Sequence, residues 1–155
     1  HGKVCYNREA SMDRMERPDG QELRLTEDAG NILWIRPCVG MTYPQAGPQV
    51  RAVLHDSYHS GTIAVNAGLE EFAGRMEQAG IPVYLTGASS GEAEYETVRM
   101  YEQYGIRVLP KMSLIAAYCK LWLALSNDLD VNSIMNTCIA EDIIQVGNCE
   151  TLKFL

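Results

Sequence analysis

From residue 32 onward, short apolar runs rich in β-branched residues alternate with segments of helical periodicity. This alternation is typical of βαβ units, in which a crossover returns the chain to the start of the next parallel strand. The apolar character of the runs indicates that the strands are buried. The sequence therefore predicts a parallel sheet of four buried strands. They are expected at Ile32–Ile35, Val50–His55, Val83–Thr86 and Arg107–Leu109.

Capping residues and one-sided apolar spacing predict the helices. Asn66 is suited to cap a helix that ends at Gly80, where a left-handed residue is favoured. Its apolar face consists of Leu69, Phe72, Ala73 and Met76. The other helices are expected at Glu94–Tyr104, after the cap Ser113 through Ala124, and after the cap Asp130.

Two segments lack helical periodicity. The connection from Ile35 to Val50 contains three prolines and two glycines, so no regular helix is expected there. Residues 1–30 are polar and hold only short β-prone pieces, which predicts an arm or hairpin. The predicted organisation is a β arm or linker over residues 1–30 and an α/β domain over residues 31–155.

Length and charge exclude several classes of protein. A chain of 155 residues corresponds to one domain with a real core. The formal net charge of −7 provides no basic face for phosphates, so no nucleic-acid partner is expected. The longest apolar stretch, Leu114–Leu125, is interrupted by Lys120 and is shorter than the roughly 20 residues that cross a bilayer. No membrane partner is expected.

The five cysteines are widely spaced and form no CxxC pair. This pattern favours reduced thiols in a cytosolic protein over a disulfide framework or a zinc site. We expect these cysteines to be buried structural residues. Because the chain begins at His1 without a methionine, we also expect it to be part of a longer protein.

In an open parallel sheet, ligands bind beyond the carboxyl ends of the strands. This rule directs attention to the loops Pro37–Tyr43, His55–Thr62, Gly87–Glu92 and Pro110–Ser113.

The glycine-rich string Thr86–Gly91 resembles the cofactor loop of short-chain dehydrogenases. However, it follows the third predicted strand and not the first, and Glu92 and Glu94 place negative charge beside the supposed phosphate site. The chain also has no Tyr-x-x-x-Lys pair for hydride chemistry. We therefore expect a tight turn and no cofactor.

Histidine and carboxylate side chains follow the second predicted strand, at His55, Asp56 and His59. Imidazole and carboxylate suit a divalent metal, but no third or fourth ligand is suggested nearby. A Ser-His-Asp triad is disfavoured because such groups converge from separate elements, not from adjacent residues. We expect a satisfied His55 at the strand end, a solvent-facing His59 and no metal site.

A series of short motifs runs through the whole chain in a fixed order. It comprises Gly2–Val4 with Asn7-Arg8, Val53–His55, Tyr58–Gly61, Gly80–Val83, Leu85-Thr86, Gly91 with Tyr95–Thr97, Met112-Ser113, Ala116-Ala117, Lys120-Leu121 and Leu129–Thr137. In order and spacing, these motifs resemble the C-terminal, smaller domain of the bacterial-type L-asparaginases, most closely the cytoplasmic type I group.

The resemblance implies a three-layer, Rossmann-like α/β domain with a four-stranded parallel sheet, preceded by a short β arm. It implies hydrolysis of L-asparagine to L-aspartate and ammonia in the full-length enzyme, in the cytoplasm. In that family the catalytic threonines lie in the N-terminal domain, so no catalytic residue is expected in this chain, which should be inactive alone. The implied partners are that N-terminal catalytic domain, further copies in a homo-oligomer and an amino-acid ligand.

The resemblance also implies a substrate- or effector-binding site. Its expected residues are Tyr58, Ser60, Thr62, Thr86, Glu92 and Glu94. Glu92 or Glu94 would meet a substrate ammonium group, although a solvated glutamate at a helix N-terminus is an equal alternative. The string Gly61–Ala64 resembles a fragment of the family's nucleophile loop, but we expect Thr62 at a helix entry. Two other functions stay open: a non-catalytic effector-binding or oligomerisation module, and a subunit of a tRNA-dependent amidotransferase.

Overall fold

The computed structural model describes residues 24–26, 31–88, 99–139 and 142–143. Within them a single four-stranded sheet has the order β1-β2-β3-β4, and each neighbouring pair is parallel. The strands are β1 (Ile32–Ile35), β2 (Ala52–His55), β3 (Val83–Leu85) and β4 (Ile106–Val108). The helices are α1 (Ala67–Gln78), α2 (Leu114–Ser126) and α3 (Val131–Asn136), and residues 99–103 are also helical. The predicted α/β fold with a four-stranded parallel sheet is confirmed.

The predicted bounds of β1 match the structure, and those of the other three strands differ from it by one or two residues. Thr86 and Leu109 lie just beyond β3 and β4, yet their amides continue the ladders. The Thr86 amide donates to the His55 carbonyl at 2.9 Å, and the Leu109 amide donates to the Leu85 carbonyl at 2.9 Å. Strand assignments end where ladder geometry becomes irregular, which is why such bounds shift by a residue.

Helix α1 begins and ends as its sequence predicts. The side chain of Asn66 accepts a hydrogen bond from the Leu69 amide at 3.1 Å, which satisfies one of the free donors of the first turn. Gly80 has φ +66° just after the helix, a value that glycine adopts without steric strain. The predicted apolar face is the buried one: Leu69, Phe72, Ala73 and Met76.

Each face of the sheet packs against different helices. With this strand order, right-handed crossovers place the connections from β2 and from β3 on the same face. Accordingly, Phe72 of α1 and Tyr101 of the helical segment 99–103 belong to one core. The chain crosses to the other face after β4, where Leu121 of α2 and Met135 of α3 form a second core with Tyr84 of β3. The domain therefore has three layers.

Lys120 is the charged residue inside the apolar helix α2, and it is only 5% exposed. Its Nζ lies 2.7 Å from a carboxylate oxygen of Asp142 and donates to the Thr137 carbonyl at 2.6 Å. A buried cation is strongly destabilising unless it is paired and hydrogen-bonded. These two contacts therefore hold the segment that follows α3 against α2.

The connection between β1 and β2 is irregular, as its prolines predict. Short turns shape it, with the Met41 amide donating to the Cys38 carbonyl at 3.2 Å and the Val50 amide donating to the Gly47 carbonyl at 3.0 Å. Tyr43 from this connection packs against the core under α1. The connection thus covers part of the face that a crossover helix would otherwise cover.

Of the β arm predicted over residues 1–30, the structure describes Arg24–Thr26. These residues have irregular backbone and run along the C-terminal end of α2. The Arg24 amide donates to Asn127 Oδ1 at 3.0 Å, and Asn127 Nδ2 donates back to the Arg24 carbonyl at 2.8 Å. The rest of the predicted arm, and residues 94–98 of the predicted third-crossover helix, lie outside the described residues.

The expectation of buried cysteines is wrong for the three cysteines that the structure describes. Cys38, Cys119 and Cys138 are exposed free thiols. Cys38 lies in the irregular connection after β1, Cys119 lies on the outer side of α2, and Cys138 follows α3. Cys5 and Cys149 lie outside the described residues.

Across the described ranges, none of the helices combines the length and apolar character that a membrane span requires.

Candidate functional site

The parallel sheet brings the carboxyl ends of its strands to one edge, and the loop after β2 lies between the loops that follow β1 and β3. Two side chains of this loop bond to those neighbours. The Tyr58 hydroxyl donates to the Cys38 carbonyl at 3.0 Å, on the β1 side. The Ser57 hydroxyl donates to the Gly87 carbonyl at 2.9 Å, on the β3 side. The three loops are therefore tied into one surface, which we call the carboxyl-edge site (residues 38, 56–62 and 86–88).

The β2 loop also has its own internal hydrogen bonds. The Tyr58 amide donates to the Thr62 carbonyl at 2.7 Å, and the Gly61 amide donates to the Tyr58 carbonyl at 2.8 Å. Gly61 has φ +78°, which favours glycine there. This turn places the hydroxyls of Ser60 and Thr62 side by side, with their oxygens 2.9 Å apart.

Gly87 makes the close approach between the β2 and β3 loops possible. Its φ is +73°, and a Cβ atom at this position would lie 2.5 Å from Ser57 Oγ. The first residues of the glycine-rich string thus fit closely against the neighbouring loop. The residues of that string beyond Ala88 lie outside the described residues.

The structure brings together three of the predicted site residues, Tyr58, Ser60 and Thr62, in a single turn. Thr86 is not among them: it is 2% exposed, and its hydroxyl lies 3.4 Å from the His55 carbonyl. Glu92 and Glu94 lie outside the described residues. Thr62 is not at a helix entry, because α1 begins only at Ala67. That expectation was wrong because Asn66, not Thr62, supplies the cap.

His55 is fully buried at the end of β2, in agreement with its interpretation as a satisfied strand-end residue. Its Nδ1 faces the carbonyl of Asp56, and its Nε2 lies 3.3 Å from the Tyr43 hydroxyl. The Tyr43 hydroxyl in turn donates to the Ala64 carbonyl at 2.8 Å. Burial lowers the pKa of His55 below its ordinary 6.5, and the hydrogen bond to the Asp56 carbonyl opposes this effect only partly. Burial also raises the pKa of Tyr43 to about 12.

Because a carbonyl oxygen can only accept, His55 Nδ1 carries a hydrogen and donates it to the Asp56 carbonyl. His55 therefore joins the β2 strand to the Tyr43 connection and faces away from solvent. His59 is exposed. In the described parts of the chain, His, Cys, Asp and Glu side chains form no group of three or more suited to a metal ion.

The hydroxyls of the carboxyl-edge site are engaged with other oxygens. Ser57 donates to a backbone carbonyl, while Ser60 and Thr62 bond to each other. Activation of a hydroxyl as a nucleophile needs a base within hydrogen-bond reach. The arrangement therefore suits the binding of a polar ligand, because the hydroxyl pair can both donate and accept.

A second cluster of polar groups lies at the opposite, amino edge of the sheet, and the sequence did not point to it. Arg107 Nη1 lies 3.3 Å from the Tyr84 hydroxyl and 3.3 Å from Asn132 Oδ1. The Arg107 Cζ atom lies 5.7 Å from the centroid of the Tyr84 ring. These residues border a cavity of about 570 Å³. The sequence feature that could have indicated this cluster is Arg107, a charged residue within a run predicted to be a buried strand.

Comparison with models of protein families finds none that matches the chain, and comparison with curated proteins finds no match either.

We predict that Gly87→Ala lowers the free energy of unfolding by about 2 kcal/mol or more. The positive φ of Gly87 alone costs a residue with a side chain roughly 1–2 kcal/mol, and the new methyl group adds a clash with Ser57 Oγ. Chemical denaturation of the wild-type and variant chains measures the loss.

The double variant Gly87→Ala with Ser57→Ala serves as the control. Removing Ser57 Oγ relieves the clash, so the double variant should be less destabilised than the sum of the single variants by more than about 0.5 kcal/mol. Strict additivity would show that the two loops do not touch as described.

We also predict a pH dependence of stability that originates at His55. Because its folded-state pKa lies below 6.5, the unfolded chain takes up the proton first as the pH falls. The stability from neutral His55 is complete above pH 6.5 and is lost as the pH falls from there through the folded-state pKa. Denaturation curves at stepped pH should show this loss, and His55→Gln should reduce its slope. An unchanged slope in the variant would contradict the assignment.

Proposed function

We propose that this chain is the C-terminal, smaller domain of an asparaginase-like amidohydrolase and that its carboxyl-edge site forms part of the active-site wall. The proposal rests on the three loops that hydrogen bonds hold together, because they present the Ser60 and Thr62 hydroxyls at the carboxyl edge. It combines with the ordered motifs that resemble the cytoplasmic type I asparaginases. The parallel sheet supports the proposal because it directs these loops toward a common ligand.

In the proposed reaction the nucleophile comes from a companion catalytic domain. A threonine hydroxyl there attacks the side-chain amide carbon of L-asparagine, its proton passes to the leaving nitrogen, and ammonia departs. Water then cleaves the acyl-enzyme ester and releases L-aspartate. The domain described here contributes no group to bond making or breaking.

The role of this domain in that scheme is to bind and enclose the substrate. The hydroxyls of Ser60 and Thr62 can donate to a carboxylate and accept from an ammonium group. Ties to the Cys38 and Gly87 carbonyls hold this turn in place, so little freedom is lost when a ligand binds. Glu92 and Glu94 stay part of the proposal as partners for a substrate ammonium group.

The proposal includes a cytoplasmic location, assembly with the N-terminal catalytic domain and a homo-oligomer, as in the family that the sequence resembles. A non-catalytic effector-binding module is a second candidate. It is favoured by the Ser60–Thr62 hydrogen bond, which leaves both hydroxyls suited to binding without reaction. The upstream sequence of the parent protein separates the two. A Thr-Gly-Gly-Thr loop and a Thr-Asp pair would support hydrolysis, whereas their absence would support binding alone.

We predict that L-aspartate binds the chain at the carboxyl-edge site. Titration followed by amide chemical shifts should give saturable changes at Tyr58–Thr62 and Gly87. Thr62→Val keeps the side-chain shape but removes the hydroxyl, so it should weaken binding about fivefold, the equivalent of one hydrogen bond of about 1 kcal/mol.

Thr42→Val is the matched control. Thr42 is exposed in the β1–β2 connection, and the substitution removes the same hydroxyl at a position outside the carboxyl-edge site. It should bind L-aspartate like the wild type. Shifts confined to the amino edge, absence of saturable shifts, or equal binding by Thr62→Val would each contradict the proposed site.

A further inference from the structure

Strand β1 forms one outer edge of the sheet, and its outer side is open to another strand. In a parallel ladder, alternate residues of a strand bond to the same neighbour. The carbonyls of Asn31 and Ile35 accept hydrogen bonds from the β2 side. The backbone groups of Ile32 and Trp34 therefore point outward, and in the described ranges no strand pairs with them. An unpaired edge of this kind is a template for a further strand.

Exposed apolar side chains lie along the same side of the molecule. Trp34 is 38% exposed, and its ring centroid lies 5.6 Å from that of Tyr118 on α2. The Tyr118 ring lies 6.5 Å from the ring of Trp122, one turn further along the helix. Ile115, one turn before Tyr118, is 61% exposed. We call these four residues the β1 flank.

Helix α2 is apolar on nearly all sides but is covered on only some of them. Leu121 and Leu125 pack on the sheet. Its one charged residue, Lys120, is buried against the segment that follows α3. The β1 flank occupies the opposite lateral side of the helix, where α2 carries no charge. Because a helix that is hydrophobic all round is typical of a fully buried position, this side is suited to an interface.

A single two-fold axis covers both the open strand edge and the apolar helix side. Antiparallel pairing of β1 with β1 of a second copy places the axis between the two strands, perpendicular to the sheet. Helix α2 lies beside β1, as the contact of Trp34 with Tyr118 shows. The same axis therefore brings the two α2 helices side by side and antiparallel, on the same face of the joined sheet.

The charges at the two ends of the β1 flank are complementary under this axis. At the carboxyl end of β1, the Arg36 Cζ atom lies 5.8 Å from the centroid of the Trp34 ring. At the opposite end, Asp128 follows α2, and its side chain is 85% exposed. The two-fold axis reverses one flank against the other, so Arg36 of each copy faces the end that carries Asp128 in the other. With a formal net charge of −7 on each copy, a surface that offers this attraction is favoured for self-association.

We propose that the β1 flank is the interface through which two copies of this chain form a two-fold dimer, with β1 paired antiparallel to β1 of the second copy. The surface consists of a strand of four residues and one side of a helix of 13 residues. Interfaces below about 1,200 Å² are typical of transient complexes, so a dimer that dissociates at micromolar concentration is expected. The inference assigns a surface to the homo-oligomer of the proposed function, but it rests on the flank and not on amidohydrolase activity.

Analytical ultracentrifugation of the full chain at increasing micromolar concentration tests the inference. A reversible monomer–dimer equilibrium is expected. Ile115→Lys places a charge at the centre of the interface and should weaken association at least tenfold. The matched control is Val65→Lys, because Val65 is an exposed β-branched residue (46%) that precedes α1, outside the flank. It should dimerise like the wild type.

Two further measurements test the arrangement of the dimer. The amide of Trp34 should exchange with solvent more slowly as the protein concentration rises, because strand pairing protects it. Cys119 is an exposed thiol near the middle of α2, so antiparallel helices bring the two Cys119 residues near each other. A short bismaleimide should therefore link two chains, and Cys119→Ser should abolish the link. Cys138→Ser should retain it, because Cys138 follows α3, on the far side of α2 from the flank.

Several outcomes would overturn the inference. They are a monomer at every concentration, equal association of Ile115→Lys, exchange at Trp34 that does not depend on concentration, and a link that forms without Cys119. A dispersed amide spectrum of Ile115→Lys confirms that a loss of association comes from the interface and not from unfolding. L-aspartate binding at the carboxyl edge is measured separately, so the dimer and the proposed function can fail independently.

Discussion

The parallel pairing of β2 with both of its neighbours is the constraint on which the rest of the structure depends. All four residues of this strand are buried, and its two faces contribute to two different cores. Since a one-residue shift in register would exchange those faces, the register is strongly specified. The parallel pairing on both sides of β2 places the loop after β2 between the loops after β1 and β3. The hydrogen bonds of Ser57 and Tyr58 to those loops follow from that position.

The two edges of the sheet offer different chemistry. At the carboxyl edge, paired hydroxyls on a turn held by backbone carbonyls suit a ligand that both donates and accepts. Our proposal of an asparaginase-like active-site wall rests on this arrangement and on the order of the sequence motifs. At the amino edge, the Arg107 guanidinium donates to the Tyr84 hydroxyl and to Asn132 Oδ1. His55 belongs to neither site, because its ring is buried and bonded within the β2 end.

Sequence patterns predicted the elements well because those elements depend on local chemistry. The cap at Asn66 and the prolines between β1 and β2 act within a few residues of their own position. The surroundings of the expected site residues were harder to predict, because they come from segments that are distant in the sequence. Thr86 is buried against the end of β2, and Gly87 is hydrogen-bonded to Ser57, which lies thirty residues earlier in the chain. No spacing rule indicates such contacts.

The same reason explains the exposed cysteines and the unexpected cavity at Arg107. An arginine in a short strand gives no sign of which helix end will face it. The capping residue Asp130 predicted the start of α3, but only the folded chain shows that this start borders the same cavity as Arg107 and Tyr84.

The most direct measurement of the central constraint is native-state hydrogen exchange at the Asp56 and Thr86 amides, which donate to the Ile35 and His55 carbonyls where the strands end. The account predicts that both amides exchange only through global unfolding, with the full free energy of unfolding. Exchange of either amide through a much smaller local opening would contradict it.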